Sequence, residues 1–346
     1  MNSFSAEILR WFRENGRDLP WRETRDPYAI WLSEIILQQT RIAQGWEYWE
    51  RFVQTYPKVE DLAAASEDDV LKLWQGLGYY SRARNLHTAA KQIVALGAFP
   101  NTLEGIKSLK GVGDYTAAAI GSFAFDIPAA VVDGNVYRVL SRYFGIDTPI
   151  NSTQGKKEFA ALAQSLLPAS DAASYNQGMM DFGAIQCTPQ SPKCLLCPLA
   201  ETCEALRCGR VEELPVKNKT VKVKTRHLSY IYIRCKSSAA DGIGKSEPMV
   251  AIHRRGEGDI WQGLWEPYNV SDVKELPSFV KNPILLAKDV KHVLTHRILL
   301  ADFYLLETES RPPLPDDYIW IRESEIEDYG VPRLIEIMLE KINPAE

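Results

Sequence analysis

The sequence contains no run of about twenty apolar residues, the length a membrane-spanning helix needs, so no span is expected. It opens on "MNSFSAEILRWFREN", which lacks a basic n-region and a long apolar core. No secretory signal is therefore expected, and the expected compartment is the cytoplasm. No internal repeat of roughly 20–50 residues is visible, which argues against a repeat architecture. Positive charge is not in excess: 40 Lys and Arg against 45 Asp and Glu leave a formal net charge of −5. A nucleic-acid partner would then require the basic residues to be clustered. Cysteine is scarce, at six in 346 residues, yet four of the six lie between Cys187 and Cys203.

What is present fits two globular domains. The length allows a sizeable core in each, and 45% hydrophobic with 25% charged residues is ordinary for such proteins. The cysteine cluster, "CTPQSPKCLLCPLAETC", points to metal rather than disulfides, because nothing indicates an oxidising compartment. Only Cys194 and Cys197 form a short hook, with Cys187 and Cys203 closing around it at wider spacing. One compact loop of four thiolates, stiffened by Pro189, Pro192 and Pro198, suits a [4Fe–4S] cube. Spacing alone leaves zinc open. Cys208 and Cys235 read as structural thiols.

Residues 1 to about 205 read as helical. "FSAEILRWFREN", "AIWLSEIILQQT", "WEYWERFVQTY", "EDDVLKLWQGLG", "RNLHTAAKQIVAL", "DYTAAAIGSFAF", "NVYRVLSRYFG", "KEFAALAQSLL" and "ASYNQGMMDFGAIQC" carry apolar residues at helical spacing or helix-forming composition. "LPVKNKTVKVKTRH" then brings Lys217, Lys219, Lys222, Lys224 and Arg226 into a linker, either a solvated spacer or a strap across phosphates. Beyond it, "LSYIYIRC", "PMVAIHRR" and "ILLADFYLLE" read as strands and "VPRLIEIMLEKI" as a terminal helix, an α+β domain.

Three features carry chemistry. In "LKGVGDYTAAAI", Gly111 and Gly113 permit a tight turn into a helix whose first N–H groups can hold a phosphate. With a helix on each side, the segment reads as a helix–hairpin–helix, which grips DNA backbone without reading sequence. Asp133, in "PAAVVDGNVYRVLSR", precedes a helix, where it can cap the N-terminus and where the dipole favours the ionised carboxylate. Glu34 shares a face with Ile30, Trp31 and Leu37. There it is either a surface residue at the stripe's edge or a buried acid with a raised pKa. A protonated and an ionised carboxyl together suit cleavage of a glycosidic bond through an oxocarbenium-like state.

Together the helix–hairpin–helix, "GVG", Asp133 and the C-x6-C-x2-C-x5-C loop resemble the helix–hairpin–helix iron–sulfur DNA glycosylase superfamily. Within it, the chain is similar to the MutY family of adenine DNA glycosylases. The matching stretches are "RDLPWR", "WLSEIILQQTR", "GLGYYSRARNL", "LKGVGDYTAAAI", "VVDGNVYRVLSR", "NQGMMDFGAIQC" and the cysteine loop, covering most of residues 17–203. In the C-terminal part, "IWQGLWEPYN" resembles the segment before a Nudix box in MutT-like domains. No R-E-x-x-E-E helix follows Glu266, so pyrophosphate hydrolysis is not expected. "HVLTHRIL" is similar to the family's 8-oxoguanine-reading loop, with Leu294 where an aromatic usually stands.

The resemblance implies a mainly α helix–hairpin–helix glycosylase domain over residues 1–213, a basic linker over 214–227 and an α+β MutT/Nudix-like lesion-recognition domain over 228–346. It implies a [4Fe–4S] cluster on Cys187, Cys194, Cys197 and Cys203. The implied partner is double-stranded DNA with adenine opposite 8-oxoguanine or guanine, met by a monomer. Glu34 would protonate the adenine, most simply at N7. Asp133 would stabilise the oxocarbenium ion, by charge or by transient covalent capture. Tyr115 and Asn135 would hold that geometry. Arg22 and Gln177 would contact the flipped base, and Gln39 and Tyr79 would wedge into the duplex. Gly111 and Gly113 would grip the backbone, and Thr295 and His296 would read the lesion. The branch that forms a Schiff base has a lysine where Tyr115 stands, so a monofunctional enzyme is implied. A thymine or uracil mismatch glycosylase, and a non-catalytic iron–sulfur DNA-binding or redox protein, remain as alternatives.

Overall fold

The computed structural model describes residues 2–218, 223–236, 247–270, 277 and 279–343. The chain forms two compact units, Met1–Ala63 with Thr88–Lys219, and Ala64–His87 with Thr220–Glu346. The "EDDVLKLWQGLGYYSRARNLH" stretch, read as part of the helical domain, thus belongs to the unit that holds the sheet.

The first unit is helical. Its opening helix, Ser3–Asn15, starts where the Asn2 side chain accepts from the Ser5 N–H, and buries Phe4, Ile8, Leu9 and Trp11. These residues share a core with Val136, Val139 and Leu140 of helix Gly134–Phe144, Phe159 of Thr153–Leu166, and Tyr175 and Met179 of Ala172–Asp181. Helix Pro27–Ile36 is capped by Asp26, and every residue from Tyr28 to Ile36 is buried. Glu34 is therefore in the interior rather than at a stripe's edge.

Several helices are shorter than their sequence patterns imply. "AIWLSEIILQQT" stops at Ile36, because Gln39 turns left-handed at φ 58°. "EDDVLKLWQGLG" stops at Leu73, and Gly76 and Gly78 supply φ values of 96° and 71°. "ASYNQGMMDFGAIQC" is an α-helix only to Asp181, after which Phe182–Gln186 widens into a π-turn.

The second unit is built on a seven-stranded sheet: β1 Lys224–Cys235, β2 Met249–Arg254, β3 Trp265–Glu266, β4 Tyr268–Val270, β5 Ile284–Val293, β6 Arg297–Thr308 and β7 Tyr318–Arg322. The order is β3-β2-β1-β6-β5, with β4 also on β1 and β7 on β2. Strand β1 runs parallel to β6 from Lys224↔Arg297 to Cys235↔Thr308 and is buried without interruption from Leu228 to Ile233. Leu228, Tyr230 and Tyr232 face a core closed by Leu334, Ile335 and Met338 of helix Arg333–Ile342, while Ile231 and Ile233 face the other side. The basic linker is shorter than 214–227: Lys224 and Arg226 pair in this ladder, and Arg226 bonds Asp259 at 2.6 Å. Lys219 and Lys222 lie outside the described residues.

A buried ionic group sits in this sheet. Glu266 accepts from Arg255 Nη1 at 2.5 Å and from the Tyr230 hydroxyl at 3.0 Å, with His253 Nε2 at 3.2 Å. Those partners hold its carboxyl below the usual range despite burial. Arg255→Met is expected to cost about 3–5 kcal/mol in denaturant unfolding by stranding that carboxylate, and Arg255→Met with Glu266→Leu to recover most of it. Equal losses in the single and double variants would contradict this account.

Candidate active site and iron–sulfur loop

Two carboxyls meet across one cavity of the helical unit. Its lining includes Glu34, Gln39, Tyr115, Asp133 and Asn135, with Arg17, Met180 and Ala184. Glu34 is 7% exposed, and the Tyr115 hydroxyl donates to its Oε2 at 2.9 Å. Burial pushes its pKa up to about 7. Tyr115's hydrogen bond and Arg22's charge oppose that rise, while the Asp133 charge adds to it.

Asp133 is the N-cap of helix Gly134–Phe144, as its place in the sequence predicts. It accepts from the Val136 N–H at 2.8 Å and from Asn135 Nδ2 at 2.7 Å. Burial raises its pKa too; these two donors and the charge of Arg138 oppose the rise. The two acids differ in their supply of donors: the Tyr115 hydroxyl serves Glu34, whereas Asp133 takes both the Val136 N–H and the Asn135 amide.

One network was not legible beforehand. The Arg138 guanidinium donates to Asn135 Oδ1 at 2.9 Å, to the Gly183 carbonyl at 2.5 Å and to the Cys187 carbonyl at 2.7 Å. It joins the Asp133 cap to the start of the cysteine loop. Gly183 is required there, since a Cβ would lie 2.5 Å from that of Asn135. The signal available in sequence was Arg138 one turn after Gly134, and nothing marks such an arginine as a bridge.

Other expected site residues are placed differently. Arg22, in the 3-10 turn Pro20–Arg22, is clamped on Asp181 by two bonds of 2.8 Å. Asp181 is fully buried and also holds Arg17. Gln177 lies partly exposed on helix Ala172–Asp181, and neither it nor Arg22 lines the cavity. The hairpin runs from helix Leu103–Lys107 to Asp114–Phe125; Gly111 takes φ 79°, and a Cβ on Gly113 would meet only open space. In the second unit Tyr79 is 47% exposed and takes a left-handed φ of 46°. Its hydroxyl pairs with Thr295 Oγ1 at 2.6 Å. Thr295 and His296 are exposed, and Leu294 packs against the sheet's core.

The cysteine loop lies against the same helix. Cys187, Cys194, Cys197 and Cys203 line one small cavity with Arg142. None of the four is in a disulfide. Burial pushes Cys197 up to about 11 and raises Cys194 and Cys203, and neighbouring thiolates add to each shift. Four thiolates this close need cationic metal to be stable, so the donor set fits an iron–sulfur centre. Among the described residues no three His, Cys, Asp or Glu side chains converge on a single-ion site.

Comparisons with known proteins agree with this geometry. Residues 32–168 match the "HhH-GPD superfamily base excision DNA repair protein" model, 187–203 the "iron-sulfur binding domain of endonuclease III" and 243–341 the "NUDIX domain". These matches define a base-excision DNA glycosylase, a hydrolase of N-glycosyl bonds that carries a [4Fe–4S] cluster. The adenine DNA glycosylase of Buchnera aphidicola subsp. Acyrthosiphon pisum is 36% identical over 76% of this chain and 73% of its own. That of Buchnera aphidicola subsp. Schizaphis graminum is 30% identical over 97% and 98%. The chain belongs to the adenine DNA glycosylase family. Among solved structures, a thermostable thymine-DNA glycosylase matches with TM-score 0.56 and 35% identity, over 59% of this chain and 95% of that one.

Two outcomes follow. Because Glu34 keeps its proton in the folded state up to about pH 7 but loses it near 4.5 when exposed, its burial destabilises the fold increasingly as pH rises through that window. Glu34→Gln should therefore stabilise the protein progressively more from pH 5 to pH 8, by about 3 kcal/mol at most, in urea unfolding. A pH-independent difference would contradict the raised pKa. Anaerobically purified protein should contain about four irons and four acid-labile sulfides per chain, and stoichiometric zinc without sulfide would refute the cluster.

Proposed function

We propose that this enzyme removes adenine mispaired with 8-oxoguanine or guanine by a monofunctional, water-completed reaction. The observation that carries the proposal is Glu34, a buried acid held near pKa 7 across one cavity from a capped, hydrogen-bonded Asp133.

The base must leave the stack before its glycosidic bond can be reached. Gln39 and Tyr79, both exposed and left-handed, are the residues to occupy the vacated space. Gly111 and Gly113 hold the backbone at the hairpin. Gln177 and Arg22 contact the flipped adenine, Arg22 after partial release from Asp181 or through its charge alone. Glu34 donates its proton to the purine as the bond lengthens, and Tyr115 fixes that carboxyl. The 2-deoxyribosyl cation forms beside Asp133, whose carboxylate Asn135 and the Val136 N–H hold in place. Tyr115 offers no amine for a Schiff base, so water completes the reaction. Cys187, Cys194, Cys197 and Cys203 would hold the cluster, which would brace the loop that Arg138 ties to the Asp133 turn.

Adenine is a normal base, so specificity must come from the opposite strand. Thr295 and His296 are placed here as readers of 8-oxoguanine, which differs from guanine at O8 and N7. Each good contact is worth about 1–3 kcal/mol of discrimination. The lesion-reading domain is assigned to residues 228–346, with the basic segment before it.

Single-turnover excision on four duplexes tests this: adenine opposite 8-oxoguanine, adenine opposite guanine, and thymine or uracil opposite guanine. The first should be cut fastest, with strands breaking only after alkali. The rate should fall as pH rises through about 7, where Glu34 loses its proton. Glu34→Gln should lower the rate by about 10²–10⁴-fold while retaining duplex binding. Faster cutting of thymine would favour the thymine branch, to which the solved neighbour belongs.

A further inference from the structure

A second cavity, about 670 Å³, opens in the sheet unit between the Gly76–Ser81 turn, residues 259–261 and the loop 292–297. Tyr79, Trp261, His292, Thr295 and His296 all line it. Trp261 stands out because it takes φ 60°, a conformation that costs a bulky residue energy and survives only when its surroundings impose it.

The surroundings do impose it. Three successive carbonyls of the turn are each satisfied: Ile260 by Arg255 Nε at 2.8 Å, Trp261 by the Leu264 N–H at 3.0 Å, and Gln262 by Arg84 Nη1 at 2.6 Å. Gly263 follows at φ 83°, and its N–H donates to the Arg255 carbonyl at 2.9 Å. Two partly or wholly buried arginines thus shape a turn whose product is one indole at the cavity wall. The Arg255 guanidinium lies 5.8 Å from the indole, and the His292 ring lies 5.8 Å away at 56°. Burial and nearby Arg333 push the His292 pKa down, so that ring stays neutral beside the indole. A side chain fixed this firmly loses little freedom when a flat ligand stacks on it.

We propose that Trp261 is a specificity-determining residue, the stacking wall against which the oxidised purine opposite the target adenine is read. The inference rests on the reading that this cavity receives that purine. Thr295 and His296 supply polar contacts at the same cavity and Leu294, also in its wall, is aliphatic, so none of the three offers a broad aromatic face. The indole supplies the face. Asp259, also at the cavity, cannot serve as the reader, because Arg226, Arg255 and Arg297 already bind its carboxylate at 2.6, 2.8 and 3.0 Å.

The test compares Trp261→Leu, which keeps apolar bulk without an aromatic face, with Trp261→Phe, which keeps a smaller face. Full-length, cluster-loaded proteins are assayed for the ratio of single-turnover rates on adenine opposite 8-oxoguanine and adenine opposite guanine. Thr295→Ala with His296→Ala serves as the reference variant. Base–aromatic stacking predicts a ratio lowered about tenfold in Trp261→Leu and within about threefold of wild type in Trp261→Phe. A wild-type ratio in Trp261→Leu, with a lowered ratio in the reference variant, overturns the role of Trp261 and leaves the lesion reading standing. Wild-type ratios in both overturn the lesion reading itself. Equal loss in Trp261→Leu and Trp261→Phe overturns stacking as the mechanism.

Discussion

The helical unit depends on keeping one carboxyl where water cannot solvate its charge. Glu34 sits in a helix buried on every side from Tyr28 to Ile36, and the only donor aimed at it in the cavity is the Tyr115 hydroxyl. A surface glutamate would be ionised at neutral pH and useless as an acid. Moving it inside costs stability and holds the carboxyl protonated up to about pH 7. The arrangement needs a partner acid that stays charged, and the two sites achieve the difference with unequal numbers of donors.

That partner is fixed by reach as much as by charge. Asp133 is pinned by its own helix, by Asn135, and through Arg138 by the carbonyls of Gly183 and Cys187. The cysteine loop is thereby mechanically continuous with the Asp133 turn. Arg142 reinforces the same region, donating to the carbonyls of Thr188, Pro189 and Leu214. A cluster distant in sequence from Glu34 can matter to catalysis through this chain of contacts without touching the reacting atoms.

Much of this was legible in the sequence, and the rest fails for identifiable reasons. The Asp133 cap, the glycine hairpin, the cysteine loop and the long strands β1, β2 and β6 are local patterns, and local patterns survive reading. Strand β5 was missed because it is an edge strand: Lys288, Asp289 and Lys291 interrupt its apolar run, and it is bulged between Leu285 and Val290. The left-handed turn at Gln39 looked like a helix continuation, since glutamine does not advertise a positive φ. Lys224 and Arg226 looked like linker because their charge outweighed the pairing that β6 imposes. Arg138, Asp181 and Trp261 carry no motif; their places follow from tertiary contacts alone. Arg22 and Gln177 show the opposite limit, residues that a resemblance singles out but that sit outside the cavity's walls.

The central claim is the ionisation of one group, and it can be observed directly. Difference infrared spectroscopy of wild type against Glu34→Gln, across a pH titration of the free enzyme, isolates the carboxyl stretch of Glu34. A protonated carboxyl band that persists through pH 6 and is lost around pH 7 is the expected result. A band already lost near the ordinary glutamate value of 4.5 would show that Glu34 is charged at working pH, and the acid assignment would fall.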